Sequence, residues 1–167
     1  ALTQALLSLD KMIEGGLYDQ AGGGFARYST DTEWLAPHFE KMLYDNALIV
    51  AVLSEGYQLT NTERYREVIV ETMEFIKREM LHPQNGFYSA LDADSEGEEG
   101  KFYVWKKEEV ELLLGNDAAI FCDYYDISGK GNWEEKNILR VRKPLELFGS
   151  VHNIAVHDLR IILERGK

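Results

Sequence analysis

The sequence predicts an all-α fold with one small β-hairpin insertion near residues 87–105. Three observations predict it. Apolar residues recur at helical spacing in four or five stretches. Loops rich in glycine and aromatic residues separate those stretches. Two short β-prone runs flank a single acidic, glycine-containing turn.

The first helix spans about Leu2–Glu14, where Leu2, Ala5, Leu6, Leu9, Met12 and Ile13 make one stripe and Gly15-Gly16 ends it. A loop carrying Gly22-Gly23-Gly24 leads to Pro37, a residue suited to a first helical turn, with Glu40 three positions on. A second helix is expected from Pro37 to Leu59. Its Ala47–Leu53 segment is apolar on every side and calls for neighbours all round, while its polar opening places His38, Lys41 and Asp45 on one face. A short Thr60-Asn61 turn joins it to an amphipathic helix, about Thr62–Met80, with Tyr65, Val68, Ile69, Thr72, Phe75 and Ile76 inward. The pair reads as a helical hairpin.

Beyond it, Phe87–Leu91 and Lys101–Trp105 are expected to pair as the β-hairpin. Lys106–Leu114 and Asp117–Tyr125 read as short helices, Asn137–Val141 as extended, and about Asn153–Arg165 as a last helix. Gly24-Phe25 recurs 62 residues later as Gly86-Phe87, each after a helix, which is the trace a helical-hairpin array leaves.

Composition narrows the function. The 167 residues fit one domain, 1–167, and carry 18 Lys plus Arg against 29 Asp plus Glu, a net charge of −11. Such an acidic chain is a poor match for nucleic acid. The longest apolar run, Ala47–Leu53, is seven residues and too short to span a membrane. Cys122 stands alone, excluding an internal disulfide, and with no leader visible the expectation is a cytoplasmic protein. No phosphate loop, dinucleotide fingerprint, HExxH or GxSxG occurs, and four scattered histidines offer no metal spacing, so neither cofactor nor metal is expected. Asp92, Asp94, Glu96 and Gly97 start like a calcium loop, but Tyr103 stands where the twelfth-position glutamate belongs.

Long segments of the chain resemble a known family. They are Gly22–Ser29, Trp34–Ala47, Asp92–Trp105, Gly131-Asn132-Trp133 and Asn137-Ile138-Leu139, together spanning roughly residues 10–141. They are similar to the spermatogenesis-associated protein 20 family of thioredoxin-domain-containing proteins. The resemblance implies an upstream thioredoxin-like domain, for which this chain has no CxxC, followed by an (α/α)6 toroid like those of six-hairpin glycosidases and N-acylglucosamine 2-epimerases. A whole toroid needs about twice this length, so the resemblance implies a partial toroid of two to three helical hairpins, with carbohydrate chemistry as fold-level analogy only.

Under that implication the catalytic candidates are His38, Glu40, Asp45, Asp92 and Asp94. Histidine titrates near neutrality, and glycoside hydrolysis needs two carboxyl groups about 5 to 10 Å apart. Each has an ordinary alternative: Lys41 and Asp45 are spaced as an intrahelical ion pair, Glu40 suits a helix N-terminus, and the acidic segment suits a solvated turn. Arg27, Tyr28, Trp34, Glu96 and Trp105 are the substrate-binding candidates, as hydroxyl ligands and stacking platforms, with packing of a loop layer as the alternative for the aromatics. The expected partner is a carbohydrate; a non-catalytic interaction scaffold is the rival. Self-association is expected through apolar hairpin faces left open.

Overall fold

A computed structural model describes all residues, Ala1–Lys167. About half of the chain is helical, the remainder being loops and two-residue antiparallel ladders. The length predicts one domain; the backbone gathers into two compact units, Ala1–Phe102 and Tyr103–Lys167. No helix is long and apolar enough to cross a membrane.

In the first unit, α1 (Leu2–Glu14) runs where its stripe predicts. The loop after it is folded on itself. β1 (Tyr28–Ser29) pairs antiparallel with β2 (Pro37–His38), with Tyr28 opposite His38. Residues Lys41–Met42 form β3, and α2 covers Leu43–Thr60. α3 covers Glu63–Phe75 and ends in a wider π turn, Ile76–Met80. β4 (Ala90–Leu91) pairs with β3, and β5 (Asp94–Ser95) with β6 (Glu98–Glu99).

Two expectations are corrected here. The second helix begins at Leu43 and not at Pro37, so His38 and Lys41 share no helical face with Asp45. Residues 37–43 are claimed by cross-strand pairing: Arg27 N–H donates to the His38 carbonyl (3.3 Å) and Leu43 N–H to that of Ser89 (2.9 Å). Proline marks the start of a strand as readily as that of a helix. The β-hairpin is also smaller than expected. Only Asp94–Glu99 closes on itself; Ala90–Leu91 pairs with β3, and Val104–Trp105 pairs beyond the first unit's boundary.

The core of this unit joins Leu9 and Ile13 of α1, Leu53 of α2, and Tyr65 and Val68 of α3 to Tyr18 and Phe25 of the loop. Asn46 fixes the loop to α2. Its side-chain oxygen accepts from Phe25 N–H (2.7 Å), and its amide donates to the carbonyls of Phe25 (3.0 Å) and Met42 (2.9 Å). α1 and α3 cover only one side of α2. Tyr44, Leu48, Val52 and Leu59 form an open row along the other, so the wrapping expected from an all-round apolar helix is absent in this unit. The pattern of α2 records its own preference for burial and not who supplies the cover.

The two Gly-Phe copies share one local feature, an isolated antiparallel bridge. After α1, Tyr18 bridges Phe25; after α3, Leu81 bridges Phe87, both antiparallel. Phe25 is wholly buried under Tyr18 and Asn46, whereas Phe87 is 55% exposed.

In the second unit, β7 (Val104–Trp105) pairs with β8 (Asn137–Ile138). α4 (Lys107–Leu114), α5 (Ala118–Tyr124), α6 (Leu145–His152) and α7 (Val156–Arg165) complete it. The separate α6 was not foreseen; Pro144 before it and the left-handed Asn153 after it are its sequence marks. Cys122 is buried, and burial pushes its thiol up, away from reactivity.

Candidate functional site

The β1–β2 ladder is short, but it sets a cluster of polar side chains. With Tyr28 opposite His38 in register, the two rings stack, centroids 5.3 Å apart. Arg27 precedes Tyr28 and donates to Glu40 Oε2 (2.9 Å) and to the Tyr44 hydroxyl (3.2 Å). Glu40, then Tyr44, hold the Arg27 guanidinium firmly protonated. His38 lies between two carboxylates: Nδ1 is 2.8 Å from Glu99 Oε1, and Nε2 is 4.0 Å from Glu40 Oε2.

Asp45 enters from the first turn of α2. One of its carboxylate oxygens, Oδ2, is buried without a hydrogen-bond partner. Burial pushes its pKa up, Arg27 opposes this, and the neighbouring Glu40 charge adds to it. A helix N-terminus favours the ionised form; here desolvation outweighs it. Asp45 thus binds its proton more tightly than an ordinary carboxyl, while Glu40 is ion-paired with Arg27 (2.9 Å). Carboxyl groups held at different proton affinities are what general acid–base chemistry uses.

No group of three His, Cys, Asp or Glu side chains is arranged to hold a metal ion.

No family model matches the chain. Spermatogenesis-associated protein 20 of Mus musculus and of Homo sapiens are each 35% identical to it over 192 aligned residues, covering 99% of this chain. An uncharacterized Caenorhabditis elegans protein is 34% identical across 96% of the chain. Across nearly its whole length the chain is similar to spermatogenesis-associated protein 20. It spans about a quarter of the length of these relatives, 24% of the mouse and human proteins and 25% of the worm protein.

Of the family segments, Gly22–Ser29 and Trp34–Ala47 meet at this cluster, which holds Arg27, Tyr28, His38, Glu40 and Asp45 together. The other sequence candidates serve elsewhere. Trp34 sits in a left-handed turn, and its carbonyl accepts from Gly16 N–H (2.8 Å). That turn is wound on Asp31, whose carboxylate takes the N–H groups of Ala36 (2.6 Å), Glu33 (2.7 Å) and Leu35 (3.2 Å). Burial pushes the Asp31 pKa up, but these backbone donors prevail and hold it below its usual range. Asp92 and Asp94 are exposed, Asp92 accepting from Asp94 N–H (3.1 Å). Glu96 pairs with Lys101 at the hairpin tip. Trp105 belongs to the second unit, where its carbonyl accepts from Asn137 (3.1 Å).

Two members were not singled out from sequence. Tyr44 entered the sequence reading only as part of the family segment Trp34–Ala47. Glu99 was one of five acidic residues in eight positions, and only the β5–β6 register selects it.

Proposed function

We propose that this part of the family carries an acid–base site for a carbohydrate hydroxyl or glycosidic oxygen. The observation that carries the reading is His38, stacked on the half-exposed ring of Tyr28 and flanked by Glu99 and Glu40, with Arg27 on Glu40 and with Asp45, whose pKa burial raises, within reach of the Arg27 and Glu40 charges. Sugars are held by ring stacking combined with carboxylate and guanidinium hydrogen bonds, and Tyr28 and Arg27 supply both. In this reading His38 takes the proton of a sugar hydroxyl, Asp45 in its acid form supplies one to the departing oxygen, and Glu40 balances the Arg27 charge. The resemblance to toroids of glycosidases and sugar epimerases is consistent with this reading by analogy of fold.

The test is saturation-transfer NMR of the chain against glucose, mannose, N-acetylglucosamine and their methyl glycosides, repeated with His38→Ala and Tyr28→Ala. Transfer to one sugar that both substitutions abolish supports the site. Transfer to none of them, or transfer indifferent to both substitutions, removes it.

One observation favours a second reading, an interaction scaffold beside a thioredoxin-like domain. Asp92, Asp94, Glu96 and Glu98 are exposed around the β5–β6 hairpin, as a docking surface for a basic partner would be. Salt-sensitive binding of a lysine-rich peptide, lost on neutralising these four, separates the two readings.

A further inference from the structure

We propose that Glu99 is the positioning residue for His38, and that the β5–β6 hairpin exists to deliver this one carboxylate. The proposal rests on the acid–base reading above and adds to it the group that decides which imidazole nitrogen does the chemistry.

The hairpin is registered against His38 at two adjacent points. Glu99 meets His38 Nδ1 at 2.8 Å. The next residue, Gly100, lies against the ring of Phe39, the residue that follows His38, so closely that a Cβ there would overlap the ring. Phe39 is buried, and Gly100 N–H donates to the Ala93 carbonyl (2.9 Å), which closes the hairpin base. At the other end, Glu96 and Gly97 both take positive φ, a two-residue turn that fixes Asp94 opposite Glu99. A shift of one residue along either strand would turn Glu99 to the opposite face.

The chemistry follows from donor and acceptor capacity. An ionised Glu99 only accepts, so Nδ1 must carry the proton. In the neutral ring, Nε2 then presents its lone pair. At 4.0 Å from Glu40 it makes no direct hydrogen bond with that carboxylate, so the lone pair is left for an incoming hydroxyl. Of the other polar groups in the cluster, Arg27 bonds Glu40 and the Tyr44 hydroxyl, Asp45 interacts with the Arg27 and Glu40 charges, and the Tyr28 ring is stacked on the imidazole. The hydrogen bond on Nδ1 is that of Glu99, so Glu99 is the group that sets the tautomer.

The experiment is a long-range proton–nitrogen correlation NMR spectrum of the His38 ring, above the pH range in which histidine titrates, with no sugar present. The wild-type chain is expected to show the Nδ1–H form. Glu99→Ala should lose it in favour of Nε2–H. Glu99→Gln, whose side-chain carbonyl still accepts, should retain it, and Glu96→Ala should leave it untouched. Glu99 is exposed, so these variants are expected to fold; circular dichroism checks that. An Nε2–H ring in the wild type, or a ring indifferent to Glu99→Ala, overturns the proposal. A ring that obeys Glu99 in a chain to which no tested sugar binds upholds the positioning role and overturns the carbohydrate reading instead.

Discussion

The Lys41 ammonium, only 2% exposed, lies 2.8 Å from Asp19 Oδ2 and 2.9 Å from the Gly23 carbonyl, above the ring of Phe75. Burial pulls its pKa down, and Asp19 resists that pull. Lys41 thereby fastens the glycine loop to strand β3, with Gly24 seated against the Phe75 ring.

Removing one member of such a pair strands the other's charge. Lys41→Met is expected to cost about 3 kcal/mol. Adding Asp19→Asn should recover about 1 to 2 kcal/mol, because the amide keeps the oxygen that Ala21 and Gly22 N–H bind while losing the charge. Urea unfolding of the two single variants and the double variant checks this; strictly additive losses would argue against a coupled pair.

Gly97 and Gly100 both hold positive φ, but only Gly100 has a neighbour in the way. Gly97→Ala should cost about 1 to 2 kcal/mol of backbone strain and leave the His38 environment unchanged. Gly100→Ala should cost more, because the Phe39 ring must also move, and it should perturb the His38 ring signals. Equal losses in both variants would mean that the hairpin base is not clamped.

Asp45 gives a pH dependence of definite sign. Its folded-state pKa lies above the ordinary 3.8, so the folded chain favours the protonated form. The stability from this preference is full below the ordinary value and is lost as pH rises through the folded value. Asp45→Asn keeps a neutral side chain at every pH. It should therefore raise Tm at neutral pH and match the wild type in acid. Thermal melts from about pH 3 to about pH 8 test this; a pH-independent difference would rule out titration of Asp45 as the cause.

The row Tyr44, Leu48, Val52 and Leu59 leaves one side of α2 open, with Leu48 64% exposed. Apolar rows of this kind seek cover. The isolated chain is expected to show a weight-average mass that rises with concentration, and Leu48→Glu with Val52→Glu should hold it monomeric at unchanged helicity. Sedimentation equilibrium decides the matter. Identical monomers in both would show that the row is tolerated in water.

Much of the helical scaffold was legible from periodicity alone. α1, α3, α4 and α5 lie within a few residues of where their apolar spacing and glycine stops put them, because those signals act within one or two turns. The start of α2 was not legible. Pro37 and Glu40 make a sound local helix signal, yet residues 28–29 and 89–91 compete for the same backbone groups. Of the candidate site, Arg27, Tyr28, His38, Glu40 and Asp45 were named by residue type, although the geometry expected for His38 and Asp45 on one helical face was wrong.

By itself, then, the sequence determined which segments coil, which loops turn on glycine, and which family the chain resembles, since each depends on neighbours a few positions apart or on residue identity. Only the tertiary structure decided that Glu99 and not Asp92, Asp94 or Glu96 meets His38, and that Lys41 is buried on Asp19. Those choices rest on strand register and on loop closure across more than twenty residues, where one position of slippage exchanges an inward side chain for an outward one.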